Sequence, residues 1–331
     1  MHPQRLLADI GGTNIRLAWQ NEPGGPLHDT RVLPCAQFPT VDAALAAYLT
    51  EVGVPTPREA AFGIANPVTG DAIRMTNHSW SFSQRAVREA FGFERLVVIN
   101  DFTALALALP LLTPDQLRPV GGGAAVPGAA IALLGPGTGL GVSGLVFPPG
   151  SSLGVPLSGE GGHVTLAAQT QREFDVLGVL QERYGHVSAE RAVCGAGLVD
   201  LYHALRRLAQ RGGKEISSAA EVTELALQSN DALALEALDL FCGFLGSVAG
   251  NLALTLGARV RELPVVIISG DEDESALAER PDDWSGLDED VRFAGAGDGK
   301  AGLAQKGLYR VAYDEYGFTA DQSIVLQRTS E

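Results

Sequence analysis

Between residues 5 and 110, short apolar runs alternate with helical patterns, the arrangement expected of an α/β unit. Residues 6–10 and 15–20 read as two strands joined through Gly11, Gly12, Thr13 and Asn14. The pattern then predicts a helix over 41–52, a strand over 60–65, a helix over 81–91 with a serine at or near its N-cap, and a buried strand over 96–100. Residues 129–147, AAIALLGPGTGLGVSGLVF, repeat the opening device of apolar strand, glycine-threonine turn and apolar strand. The two turns lie roughly 125 residues apart, a domain-sized interval that implies a duplicated architecture. Beyond Gly159 the pattern is mainly helical, over 171–184, 198–209, 221–228 and 231–256. In the last segment Leu238, Phe241, Leu245, Val248 and Leu252 fall on one stripe, which predicts a core helix.

Composition narrows the functional classes. The 331 residues are 46% hydrophobic, enough for two domains with their own cores. The net charge of -15 repels polyphosphate backbones and anionic lipid, so neither nucleic acid nor membrane is an expected partner. Cys35, Cys194 and Cys242 lie far apart and form no CxxC pair, which points to a reducing, cytoplasmic setting. The first residues lack the apolar core of a secretory signal. Residues 271–290 hold ten acidic side chains and one arginine, the composition of a solvated loop.

Five segments carry candidate chemistry. In 7–19, Gly11 and Gly12 bare backbone N–H groups to an anion, Thr13 adds a hydroxyl, and Asp9 is a candidate ligand for hydrated Mg²⁺; an ordinary hairpin turn is the other reading. The turn Gly137, Thr138 and Gly139 poses the same choice, and two such turns in one chain fit phosphates gripped from two sides. Asn100 and Asp101 end a buried strand, where open α/β sheets hold ligands. Asp101 is either the N-cap of the next helix or a general base with Asn100 orienting the same substrate. Glu160 and His163 are separated by two glycines, which disfavours a helical metal pair and leaves a loop converging on a polar ligand, or a plain surface turn. Glu190 follows Ser188, an apparent N-cap. The helix dipole alone accounts for a carboxylate there; the alternative makes it a third partner in a sugar site.

In chain order, ADIGGTN, ANPVTGD with MTNHSWSFS, INDFTA, GPGTGLG, SGEGGHV and SAERAVCGAGLV resemble the bacterial glucokinase family over about residues 5–257. The resemblance implies an α/β, two-domain actin-like ATPase/hexokinase (ribonuclease H-like) fold with a central cleft. It implies a small domain, 1–110, completed by a C-terminal segment at about 303–331, and a large domain, 111–302, whose 259–302 part is atypical and acidic. The implied activity is transfer of the γ-phosphoryl group of ATP, with Mg²⁺, to the 6-hydroxyl of glucose by a cytoplasmic homodimer. By resemblance, Ala8, Asp9, Ile10, Gly11, Gly12 and Thr13, with Gly137, Thr138 and Gly139, hold ATP and its metal. Asn100, Asp101, Glu160, His163 and Glu190 would surround glucose, with Asp101 as the base. Two other readings remain at this level: a kinase of another hexose on the same fold, and a sugar-binding or regulatory protein with an impaired ATP site. The family's glycine-rich adenosine strand is matched at 264–271 only by PVVIISGD, with one glycine. Cys194 stands where serine is frequent, and Ala8 where glycine is.

Overall fold

The structure is a computed structural model describing residues 4–22, 25–76, 78–112, 117–120, 128–151, 153–212, 215–256, 265–269 and 324–328. The chain forms two compact units, Met1–Ala108 and Leu109–Glu331.

In the first unit, β1 (Arg5–Ile10), β2 (Asn14–Gln20), β3 (Leu27–Pro34), β4 (Glu59–Ile64) and β7 (Arg95–Asn100) make one sheet in the order β3-β2-β1-β4-β7. Strands β1, β2 and β3 are antiparallel neighbours, and β1, β4 and β7 run parallel. The short hairpin β5 (Ala72–Arg74) and β6 (Ser81–Ser83) stands apart. Leu6, Ala8 and Ile10 alternate into the core with Ile15, Leu17, Phe62 and Ile64. Helix α1 (Val41–Val52) adds Ala44, Leu45 and Tyr48 to that core. It starts where the Thr40 side chain accepts from the Ala43 N–H and stops at Gly53, whose φ of 69° suits glycine. Helix α2 (Gln84–Phe91) starts in the same way at Ser83 and ends at Gly92. Thus the predicted helix over 81–91 loses its first turn to β6, because Ser83 is the cap.

Helix α3 (Asp101–Ala108) leaves β7 directly and packs over Gly63 of β4. The Ala104 Cβ and Asp101 Cα lie 3.6 and 3.8 Å from where a Cβ on Gly63 would stand. Gly63 is also the register partner of Asp9. The bare position therefore brings the first turn of α3 close to the C-terminal end of β1.

The second unit repeats this plan. Its strands are β8 (Leu117–Val120), β9 (Ile131–Pro136), β10 (Leu140–Val146), β11 (Val155–Leu157), β12 (Val265–Ser269) and β13 (Ile324–Arg328), in the order β11-β10-β9-β12-β13-β8. The hairpin β9-β10 and β11 are antiparallel, and β9, β12 and β13 are parallel. Taken in chain order from β9, these five strands occupy the same positions as the five of the first sheet, with the same senses, so the duplication implied by the two turns is present in the topology. Strand β8 is an addition, antiparallel to β13. Residues 324–328, within the expected C-terminal segment 303–331, pair one for one with β12 in the second sheet, and the rest of that segment lies outside the described residues. The expectations for 270–323, including the acidic 271–290, lie outside the described residues.

The helices of the second unit are α4 (Gln171–Tyr184), α5 (Ala189–Ala192), α6 (Gly195–Leu208), α7 (Ala219–Leu227) and α8 (Ala232–Leu256). Capping boxes, Thr170 with Glu173 and Ser218 with Glu221, start α4 and α7. Helix α8 is long and apolar enough to cross a bilayer, yet most of it, including Leu238, Leu245 and Val248, is buried in the unit's own core.

Two helical glycines separate close packing from open space. A Cβ on Gly197 would meet the Ala192 backbone at 2.6 Å, whereas one on Gly178 meets nothing within 4 Å. Gly197→Ala is expected to destabilise the protein by about 1–3 kcal/mol, and Gly178→Ala to stabilise it by about 0.5–1 kcal/mol. Denaturant unfolding of the two variants checks the contrast.

Candidate active site

The first unit presents two carboxylates on neighbouring elements. Asp9 is exposed near the end of β1 and pairs with Arg16 across the hairpin, Nη1 to Oδ2 at 3.1 Å. Asp101 opens α3 and is largely withdrawn from solvent. Its Oδ1 accepts hydrogen bonds from the Asn100 side-chain amide and the Phe102 N–H, each at 2.8 Å. The Asn100 Oδ1 in turn accepts from the Thr103 N–H at 3.1 Å. Asn100 therefore stands at the N-cap of α3 and holds the Thr103 N–H, while Asp101, the first helical residue, holds the Phe102 N–H through Oδ1 alone. Burial pushes the Asp101 carboxyl above the usual aspartate range. The Phe102 and Asn100 donors act against that shift, and the nearby Asp9 charge adds to it.

Both glycine turns are braced from outside. The Gly11 N–H donates to Asn14 O at 2.9 Å, and the Cys35 N–H donates to Thr13 O at 2.8 Å. The Gly137 N–H donates to Gly139 O at 2.8 Å, and the Gly195 N–H at the start of α6 donates to Gly137 O at 2.9 Å. Among the described residues no acceptor meets the N–H groups of Gly12, Thr13, Thr138 or Gly139. Fixed carbonyls with unspent donors are what a backbone anion cradle requires. Ala8 and Ile10 have buried side chains and lie in the β1 ladders on both sides, so they shape the first turn without presenting a side chain to it.

In the second unit, Glu160, His163 and Glu190 gather around the start of β10. Residues Gly161–His163 form a 3₁₀ turn in which Glu160 Oε2 and His163 Nε2 are 3.9 Å apart, both side chains exposed. The two glycines that argued against a helical metal pair have a packing cause. A Cβ on Gly162 would lie 2.1 Å from Leu140 O, and one on Gly161 would lie 2.6 Å from Val142 Cγ1. The same segment is tied to the Glu190 helix by a bridge between Thr165 and Ser188 and by the bonds Leu166 N to Val187 O and Ala189 N to Val164 O. Glu190 itself reaches the second turn, its Oε2 accepting the Leu140 N–H at 2.9 Å. Ser188 stands at the N-cap of α5, but its hydroxyl makes no cap hydrogen bond.

Two participants escaped the sequence reading. Arg16 was legible in principle, since a four-residue connection pairing Ile10 with Ile15 forces Asp9 opposite Arg16. The Leu140 backbone had no signal of its own, because its partners lie 22 and 50 positions further along the chain.

A family model described as Glucokinase matches residues 6–261. A glucokinase of Aromatoleum aromaticum is 53% identical over 256 residues, covering 77% of this chain and 76% of that protein. One of Chromohalobacter salexigens is 48% identical over 254 residues, covering 77% and 78%. The bifunctional protein glk of Burkholderia thailandensis is 50% identical over 257 residues, but only 39% of its length is spanned. Among solved structures, a glucokinase from an Antarctic psychrotroph superposes with a TM-score of 0.78 at 28% identity, covering 99% of this chain and 95% of that one. A ROK family glucokinase from Streptomyces griseus in complex with glucose and AMPPNP gives 0.60 at 15% identity, covering 98% and 94%, a likeness of fold.

The raised Asp101 carboxyl has a consequence for stability. A carboxyl whose folded value lies above its unfolded one favours the fold most when protonated, and this contribution is lost as pH rises through the raised value. Asp101→Asn retains an acceptor for Phe102 and Asn100 without the buried charge. It is therefore expected to melt higher than the parent at neutral pH, with the gain vanishing below the ordinary carboxylate range. Melting temperature against pH for the pair checks this.

Proposed function

The chain belongs to the glucokinase family and is an ATP-dependent glucose phosphotransferase of actin-like hexokinase fold, and on that premise we propose how its residues divide the reaction. Asp101 accepts the proton of the glucose 6-hydroxyl as that oxygen attacks the γ-phosphorus of ATP. Asn100 and the Phe102 N–H hold one carboxylate oxygen, which leaves Oδ2 to face the substrate. Phosphoryl transfer passes through a loose transition state, so the proton leaves late and a carboxylate suffices as base. Burial strengthens that base and the fixed rotamer aims it, and positioning of this kind supplies on the order of 7–11 kcal/mol in favourable cases.

Glu160, His163 and Glu190 bind sugar hydroxyls, the carboxylates as acceptors and the imidazole as donor or acceptor. The N–H groups of Gly12, Thr13, Thr138 and Gly139 hold phosphate oxygens, Thr13 and Thr138 adding hydroxyls. Asp9 fits a divalent cation that arrives with the nucleotide. It is an exposed oxygen ligand beside a phosphate turn, and Mg²⁺ is commonly held by one or two carboxylates together with substrate phosphates. Bound there, Mg²⁺ would neutralise charge on the phosphate oxygens. Three buried free thiols are in keeping with a cytoplasmic enzyme, and family resemblance adds a homodimer.

The observation that carries the proposal is the half-buried Asp101, its Oδ1 fixed and its helix capped by another residue. Asp101→Asn is expected to lower kcat by about 10²–10⁴-fold with a small change in glucose affinity; near-full turnover in that variant removes Asp101 as the base. Because the base must be ionised, kcat/KM of the parent falls on the acid side at a pH above that of an ordinary aspartate. A pH–rate profile reads this, and a limb at or below the ordinary range contradicts it. Glu160→Gln is expected to raise the glucose KM with little effect on the KM for ATP. A coupled assay over several hexoses tests the sugar assignment, and equal turnover of other hexoses argues against a glucose-specific site.

A further inference from the structure

Glu190 has a contact that sugar binding does not require. Its carboxylate reaches the backbone of the Gly137–Gly139 turn and accepts the Leu140 N–H at 2.9 Å. Leu140 opens β10 opposite Pro136 as a non-hydrogen-bonded pair, flanked by the bond from the Gly137 N–H to Gly139 O, so its N–H and carbonyl both point away from β9. On that carbonyl side Gly162 packs in the place of a side chain. The Glu190 contact also depends on Gly139. A Cβ at 139 would stand 2.4 Å from Glu190 Oε2, 3.2 Å from its Cδ and 3.9 Å from its Cγ, so the three nearest atoms beyond the neighbouring residues all belong to Glu190. Gly139 does not have a positive φ. What keeps a side chain out of position 139 is therefore the Glu190 carboxylate and not backbone strain.

We propose that Glu190, admitted by Gly139, is a positioning residue for the nucleotide turn, so that glucose occupancy is transmitted through the Glu190–Leu140 hydrogen bond to the donors that hold phosphate. The inference rests on the assignment of Glu190 to the sugar and of the Gly137–Gly139 turn to the nucleotide. A carboxylate has two oxygens. With Oε2 on Leu140 and Oε1 on a sugar hydroxyl, the sugar fixes the rotamer, the rotamer fixes the start of β10, and Thr138 and Gly139 are held for the anion. Binding energy spent ordering the turn is then supplied by the first ligand and is not required again by the second, which is positive coupling. Coupling of this kind is reciprocal, so nucleotide tightens glucose by the same factor.

Titration calorimetry of the full chain with AMPPNP and Mg²⁺, with and without saturating glucose, tests the proposal. The parent is expected to bind AMPPNP about 5-fold or more tightly in the presence of glucose. In Gly139→Ala the new methyl displaces the end of a flexible side chain, so the fold is retained and the factor falls to about 1. Direct damage to nucleotide affinity cancels, because the readout is a ratio within one variant. Glu190→Asp, one methylene shorter, keeps the charge but loses the reach and is expected to give the same loss of coupling. Retention of the parental factor in either variant overturns the proposal. A parent that binds both ligands independently overturns this inference alone, whereas a parent that binds neither overturns the site assignment on which it rests.

Discussion

In the second unit the candidate residues are organised around the backbone of one residue, Leu140. Its N–H holds the Glu190 carboxylate and its carbonyl faces Gly162, where no side chain could fit. Three chain segments far apart in sequence meet there: the glycine-threonine turn, the Glu160–His163 loop and the start of α5. A strand end is well suited to this purpose. Inside a ladder both backbone groups of a residue are spent on neighbouring strands, but the first residue after a turn has groups left over. Leu140 and Pro136 form a non-hydrogen-bonded pair, so both backbone groups of Leu140 face away from β9. The glycines at 139, 161 and 162 are accordingly conditions of close approach, each marking a place where another part of the site comes within van der Waals distance.

The first unit handles the opposite problem, how to keep a carboxylate basic beside a helix N-terminus that favours its ionised form. Asn100 takes the cap through its Oδ1 and uses its amide to steer Asp101. Burial then raises the carboxyl against the stabilising donors. The unfavourable charge is confined to one side chain on a well-ordered sheet edge, and Gly63 beneath α3 lets that edge come near Asp9. The same five-strand order in both units places a glycine-threonine turn after β1 in the first sheet and after β9 in the second.

Much of this was legible in the residues because it is local. Helix α4 and helix α1 match their predicted limits, since Thr170 with Glu173 and Thr40 with Gly53 mark their ends chemically. The two hairpins and the strand before Asp101 follow from runs of apolar residues. Strand β3 was missed because its residues are largely exposed and polar, with His28, Asp29, Thr30 and Arg31 in succession, so it lacks an apolar signal and is recruited by pairing with β2. The candidate residues Asp101, Glu160, His163 and Glu190 were visible as residue types in glycine-rich or strand-end settings. Their partners were not, because Glu190 on Leu140 and Gly162 against β10 are contacts between segments whose spacing carries no period.

The most direct measurement is a crystal structure of the chain with glucose bound. The account predicts sugar hydroxyls on Glu160, His163 and Glu190 while the Glu190 Oε2 stays within hydrogen-bonding distance of the Leu140 N–H. Glucose seated away from these three side chains, or seated on Glu190 with its carboxylate withdrawn from Leu140, would contradict it.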